Sequence, residues 1–436
     1  MVKTSREDDD GSVQDLKKRK IESDHEYIDQ INVKKLDFDQ NKVCSVTLSP
    51  INVYCCLQCG KFFQGRGIQS PAFQHSIDES SHKLLINLNT TSIYILPDNK
   101  EILKDSTDPL VRKIRFAINP QYTREDIVQL SQRVSNHYVC GFIGINNNNS
   151  DFVNSRIATG KSIEIDHINS ALLMFSHIFP VRDHLLLLDH KDTKINELSR
   201  KISLIVKKIW SPNLISKYHI STIEVITYLM IHEPHLFKNH NPKLMLTWLL
   251  NYLTKKDKDI GSVLKKNLQG TIEMRSKHIN FWHLTVSLPP ITVFKDGNNV
   301  NKFPQVKLET LINNKFLSNN AEYKLEKLPN YLIISIDRSE NDSTLKFPIK
   351  DRNQTMVEFS LQLTLSGDKY RLICNLINKV KKSSRIDKDD ENRWLTQLYN
   401  EKMDKWYEID GVNVLSKDSE LLFLNETYIQ IWEKII

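Results

Sequence analysis

Three cysteines, Cys55, Cys56 and Cys59, stand within five residues in the stretch VYCCLQCGKFFQGRG, and with Cys44 they place four of the chain's six cysteines inside sixteen positions. Cys140 and Cys374 stand alone. A disulfide framework spreads its cysteines through a small secreted domain, so a cluster in a chain of 436 residues points to a metal instead. Cys56-Leu-Gln-Cys59 has the C-x2-C spacing that lets two thiolates reach one tetrahedral zinc from a tight turn. His75 and His82 follow sixteen and twenty-three residues after Cys59, which suits the second half of a Cys2His2 site. Zinc is therefore the expected cofactor, with Cys56, Cys59, His75 and His82 as its ligands. Cys44 and His25 are candidates to supplement this set or to make a second one, and Cys55 is expected to point away from the metal.

The rest of the chain has to fold around proper cores, since 40% of it is hydrophobic and 26% charged. Its length allows two or three domains. No apolar run approaches the roughly 18–20 residues of a membrane span, and the first thirty residues are too charged for a secretory signal. The expectation is a soluble intracellular protein with no membrane partner. A net charge of +7 is compatible with RNA or an acidic partner and selects neither.

Residues 1–25 hold hardly an apolar side chain and cannot offset their ordering entropy by burial, so a disordered tail is expected. That tail carries KKRK (Lys17 to Lys20), which is either a nuclear-import signal or a solvated basic run. Residues 26–118, with the cysteine cluster and the apolar runs KLLINL and SIYIL, predict a small α+β module. Thr123 followed by Asp126 has the form of a capping pair opening a helix. From 123 to 436 one large domain is predicted, helices first and strands later. Ile168, Ala171, Leu172, Phe175 and Phe179 share one helix face, and Ile195 to Ile209 another until Ser211-Pro212 breaks it. Tyr331–Ile336, the strictly alternating Val357–Leu365, and Thr427–Trp432 predict strands.

The stretch VYCCLQCGKFFQGRGIQSPAFQHSIDESSHKLLINL, strengthened by LPDNKEI (Leu96 to Ile102), resembles the ubiquitin-protease-type zinc finger. Within that group it resembles the form found in the splicing-associated, inactive ubiquitin-specific proteases. The resemblance implies one zinc set of Cys56, Cys59, His75 and His82. A second zinc pair of the wider family is gone, with Gln64 and Pro71 at its Cys and His positions. Arg66 stands where the family's ubiquitin-binding members grip a C-terminal carboxylate, a task suited to a guanidinium. The aromatic pocket of those members is reduced here to Tyr94.

Downstream, GFIGINN, NPKLMLTWLLNYL, KLPNYLIISIDR, KWYEIDGVNV and TYIQIW occur in the order of the ubiquitin-specific protease domain. The resemblance implies an α+β architecture in which the zinc-finger module precedes a papain-like protease fold. A thiol protease needs a thiolate, a His base and a group to orient the His. Aligned on IDHINSALLMFSHIFPVRDHL, Asp166 occupies the nucleophile position; in an ungapped register from GINN, Asp151 does. Arg393 falls at the position of the base, where a guanidinium cannot accept a proton near neutral pH, and Asp410 at that of the orienting acid. No catalytic residues are expected. Asp166 suits instead an N-cap of the helix that follows.

The family resemblance implies a nuclear, non-catalytic pre-mRNA splicing factor that promotes assembly or stability of the tri-snRNP, in which U5 joins the U4/U6 di-snRNP. Its partners would be snRNP proteins, with direct RNA contact open. The alternatives are a ubiquitin-binding receptor or an unorthodox deubiquitinase.

Overall fold

A computed structural model describes residues 27–104, 106–130, 139–147, 164–189, 191–212, 214–215, 219–290, 305–318, 323–338, 353–381 and 391–435. The tail with KKRK, His25 and Asp151 lie outside the described residues. The chain divides into two compact units, residues 1–121 with 213–217, and residues 122–212 with 218–436.

The smaller unit is built on a five-stranded antiparallel sheet, in the order Phe62–Gln64, Val53–Cys56, Leu84–Asn87, Ile93–Ile95, Lys100–Ile102. Alternation along the second of these strands sorts its side chains between two cores. Val53 and Cys55 pack with Ile31, Leu36, Ile86 and Ile114. Tyr54 and Cys56 pack on the other face with Phe63, Ala72, Leu85 and Leu96. One helix serves each face. Pro109–Ile118 buries Val111, Ile114 and Ile118, its N-terminus capped by Asp108. Pro71–Asp78 opens with Ser70, whose hydroxyl accepts from the Phe73 N–H, and Pro71 sits in the first turn, where its missing N–H costs nothing.

In the larger unit, helices precede the main sheet. The helix Asp166–Ser176 is buried at every position, as a helix inside a core must be. The helix face predicted to run through Phe179 is interrupted. The first helix ends at Ser176, and a second, Phe179–Leu187, begins with Phe179 and Pro180. Proline has no N–H to donate and cannot continue the preceding turns. Further helices span Glu197–Ile209, Ile223–His232, Pro242–Lys256 and Lys258–Leu268. Thr123 and Asp126 form the expected reciprocal cap: the Thr123 N–H donates to Asp126 Oδ2 at 3.0 Å and the Asp126 N–H to Thr123 Oγ1 at 3.2 Å.

The main sheet runs His283–Ser287, Tyr331–Asp337, Glu426–Lys434, Asp368–Lys381, Glu391–Asn400, Lys405–Asp410, Asn413–Lys417, with Gln362–Leu365 also paired to Asp368–Lys381. All neighbours are antiparallel except the first two strands. The single strand predicted over 357–365 is two, Met356–Glu358 and Gln362–Leu365, which join different sheets. Arg338, at the end of the motif KLPNYLIISIDR, is fully buried and staples this region. Its Nε donates to the Thr427 carbonyl at 2.9 Å, and its Nη1 to the carbonyls of Asn353 and Thr355 at 2.9 and 2.8 Å. A buried polar row crosses three strands, from Asn375 to Gln397 to Glu408, and ends on Lys379 at 2.8 Å.

Candidate metal centre and degenerate protease site

Among the described residues, each unit gathers chemistry-bearing side chains at the positions singled out from sequence. In the smaller unit the turn after Val53–Cys56 brings Cys59 back beneath Cys56, closed by a hydrogen bond from the Gly60 N–H to the Cys56 carbonyl at 2.8 Å. Gly60 has φ +76°, and a Cβ there would lie 1.9 Å from the Lys35 carbonyl oxygen, so only glycine fits. The helix Pro71–Asp78 presents His75, and the loop leading to Leu84–Asn87 presents His82. The ligand atoms of Cys56, Cys59, His75 and His82 all lie within 4.8 Å of one another. Cys59 Sγ is 3.5 Å from His75 Nε2. With metal–sulfur and metal–nitrogen bonds of about 2.3 and 2.0 Å, the edges of a tetrahedral site are about 3.3–3.8 Å long, so this separation fits two ligands of one ion.

The surroundings support that arrangement. Phe63 stacks on the His75 ring at 4.2 Å and fixes its plane. His82 Nδ1 is buried and has no hydrogen-bond partner, as a nitrogen reserved for a metal would be. The Cys59 thiol is pulled down, chiefly by its hydrogen bond with Cys56, which pushes the Cys56 thiol up, and further by the Lys61 N–H and the two imidazoles. A thiolate is the form that binds a metal. Gln58 Oε1 stands 3.4 Å from Cys56 Sγ and accepts the Leu84 N–H at 3.2 Å, pinning the knuckle to the sheet. Cys55 faces the opposite core, where burial drives its thiol strongly upward. Cys44 is not in the group; its sulfur accepts the N–H groups of Val46 and Thr47 at 3.4 Å each. Phe63 and Gln58 were not singled out from sequence. The aromatic pair in KFF was the available signal for Phe63, and none marked Gln58.

Arg66 does not extend into open space. Its guanidinium lies over the Tyr94 ring at 4.2 Å from the centroid, and its Nη1 donates to Asn99 Oδ1. Tyr94 in turn meets Tyr54 edge-on at 6.1 Å.

In the larger unit the head of the helix Asp166–Ser176 abuts the strand Glu391–Asn400. The backbone N–H of Trp394 donates to Asp166 Oδ2 at 2.9 Å, and the His167 N–H to Asp166 Oδ1 at 2.8 Å. Asp166 is not the N-cap expected from sequence. Ile165 holds that position without a side-chain bond, and Asp166 is the first helical residue. Its carboxylate still complements the helix dipole, but it also ties the helix to the sheet. Arg393 Nη2 lies 2.9 Å from Asp410 Oδ1. Asp166, Arg393 and Asp410, the residues that the resemblance puts at the nucleophile, base and orienting-acid positions, are here a hydrogen-bond acceptor, a permanent cation and that cation's counterion. The cavity beside them, lined by Asn147, Asn169, Ser170, Trp394, Thr396 and Gly411, has a volume of about 10 Å³, on the scale of one water.

Both units resemble known families. A family described as the zinc finger in ubiquitin-hydrolases and other proteins matches residues 42–107, and the ubiquitin carboxyl-terminal hydrolase family matches residues 164–429. The pre-mRNA-splicing factor SAD1 of Saccharomyces cerevisiae is 38% identical, over 95% of this chain and 94% of its own. Ubiquitin carboxyl-terminal hydrolase 39 of Homo sapiens is 28% identical, over 94% of this chain and 79% of its own. The crystal structure of an essential yeast splicing factor superposes with a TM-score of 0.79 at 39% identity, covering 94% of this chain and all of that one (100%).

Proposed function

The chain belongs to the ubiquitin carboxyl-terminal hydrolase family, and we propose that it is a non-catalytic pre-mRNA splicing factor, with Asp166 and Arg393 standing where a hydrolase carries its thiol and base. In this proposal the protease-like unit, residues 123–436, is a binding scaffold. The unit of residues 26–118 is a second one, held by zinc on Cys56, Cys59, His75 and His82. The protein acts in the nucleus, promoting assembly or stability of the tri-snRNP through contacts with snRNP proteins as U5 joins the U4/U6 di-snRNP.

One observation carries the proposal: the Asp166 carboxylate is engaged by the Trp394 N–H while Arg393 is paired with Asp410. Attack on a ubiquitin C-terminal amide needs a nucleophile and a base able to take its proton. Asp166 is held as a hydrogen-bond acceptor, and Arg393 cannot accept a proton. Similarity over nearly the whole length to a protein named as a splicing factor supplies the process.

Affinity purification of the tagged protein from nuclear extract, with identification of proteins and RNAs, tests the assignment. U4, U5 and U6 particles are expected; recovery of polyubiquitin alone would contradict it. A ubiquitin receptor is the second reading, favoured by Arg66 lying over Tyr94. It requires affinity for ubiquitin that falls when the terminal Gly-Gly is removed or Arg66 is replaced by Ala.

A further inference from the structure

Away from both sites, the larger unit encloses a cavity of about 280 Å³ lined by Cys140, Phe142, Phe179, Arg182, Trp210, Tyr399 and Lys402 among others. An apolar cavity of about 150 Å³ holds a benzene ring, so this one has room for an aromatic side chain and a polar group beside it. Its walls are mostly aromatic and aliphatic, with one charged group set deep among them.

That group is Arg182, 8% exposed. Its guanidinium lies over the rings of Phe179 and Trp210, at 4.5 Å from each centroid. Stacking on two rings fixes the plane of the fork, and a fixed planar fork is what bidentate recognition needs. Asp183 Oδ1 takes one side, accepting from Nε at 2.7 Å and lying 2.7 Å from Nη2. Nη1 has no hydrogen-bond partner among the described residues, which leaves the outer edge of the fork without an acceptor. Glu401, also on the cavity wall, does not supply one, because its carboxylate is gripped by Arg371. Lys402, at the rim, is exposed and adds a second cation.

We propose that this cavity binds a partner peptide in which an aromatic side chain stands beside Asp or Glu. The ring would fill the space against Phe142 and Trp210, and the carboxylate would take the outer edge of Arg182. A purely apolar occupant would leave a buried guanidinium edge unpaired, at the cost of its desolvation. A bare inorganic anion would leave the aromatic walls uncovered. Lys402 at the mouth favours an acidic segment by charge complementarity.

The test uses the full-length protein and a fluorescein-labelled peptide with the core Asp-Phe-Glu, followed by fluorescence anisotropy. Micromolar binding is expected. It should weaken about tenfold or more when the peptide carries Ala for Phe, or Asn and Gln for its acids, and likewise in Arg182→Gln. Lys402→Glu, at an exposed position, should weaken binding without disturbing the fold, and so keeps the test decisive should Arg182→Gln unfold. Absence of binding up to about 1 mM, or binding indifferent to both variants, would overturn the proposal. So would binding of indole-3-acetate with none of the peptide, which would assign the cavity to a small aromatic acid.

Discussion

The backbone N–H of Trp394 donates to Asp166 Oδ2 at 2.9 Å, joining the head of a buried helix to a strand 228 positions away. In the proposed reading, the place where a hydrolase stabilises its thiolate holds a carboxylate that braces the fold. Asp166→Ala leaves that buried N–H unpaired and is expected to cost about 1–3 kcal/mol, read by urea denaturation. Asp166→Cys is expected to release no fluorophore from a ubiquitin C-terminal amide, because Arg393 remains in the base position. A stable Ala variant, or turnover by the Cys variant, would contradict this account.

Arg393 and Asp410 form a different kind of contact. Their side chains are 49% and 24% exposed, so solvent screens the pair, and such pairs contribute about 0–1 kcal/mol. Arg393→Ala should therefore shift the denaturation midpoint little. A loss comparable to that of Asp166→Ala would mean that Arg393 has a structural part not visible in its contacts.

The zinc proposal predicts one zinc per chain by elemental analysis of the purified protein. Cys56→Ser or Cys59→Ser should abolish it, and hydrogen exchange should then show loss of protection over 53–102 while the helix Asp166–Ser176 keeps its own. Exhaustive chelation should act on the same segment. A folded, metal-free preparation would overturn the proposal.

His177 supplies a pH dependence. It is buried between Phe142 and Trp210, and burial pushes its imidazole down to about 4, with Arg182 adding repulsion. The folded protein keeps this group neutral while the unfolded chain protonates near 6.5. Its contribution is therefore full above that value and is lost as pH falls from about 6.5 toward 4. Between pH 7 and pH 5 the loss is on the order of 1–2 kcal/mol. His177→Asn, which keeps a donor for the Leu173 carbonyl now 2.9 Å from Nδ1, should flatten this slope in urea titrations at the two pH values. An unchanged slope would remove His177 as its source.

The Cys56, Cys59, His75 and His82 cluster was legible because its members lie close in sequence, and C-x2-C followed by two histidines carries its geometry in its spacing. The strand KLLINL and the capping pair Thr123–Asp126 were legible for the same reason. What escaped depends on contacts across the fold. Asp166 read as an N-cap because sequence shows the helix that follows but not the strand that meets it. Alternation over 357–365 indicated extended chain without showing that two sheets divide it. Gln58, Arg338 and Trp394 act through partners that no local pattern reveals. The Arg182 cavity gathers residues from several separate segments, among them 139–142, 179–182, Trp210 and 399–402, and nothing in any one of them signals a pocket.

The most direct test of the central claim is the sedimentation of U4, U5 and U6 RNAs on a glycerol gradient of nuclear extract depleted of the protein. The account expects the U4/U6·U5 particle to fall and free U5 to rise. Both should be restored by the wild-type chain and equally by Arg393→Ala, since no chemistry at that position is required. An unchanged tri-snRNP, with ubiquitin conjugates accumulating instead, would contradict it.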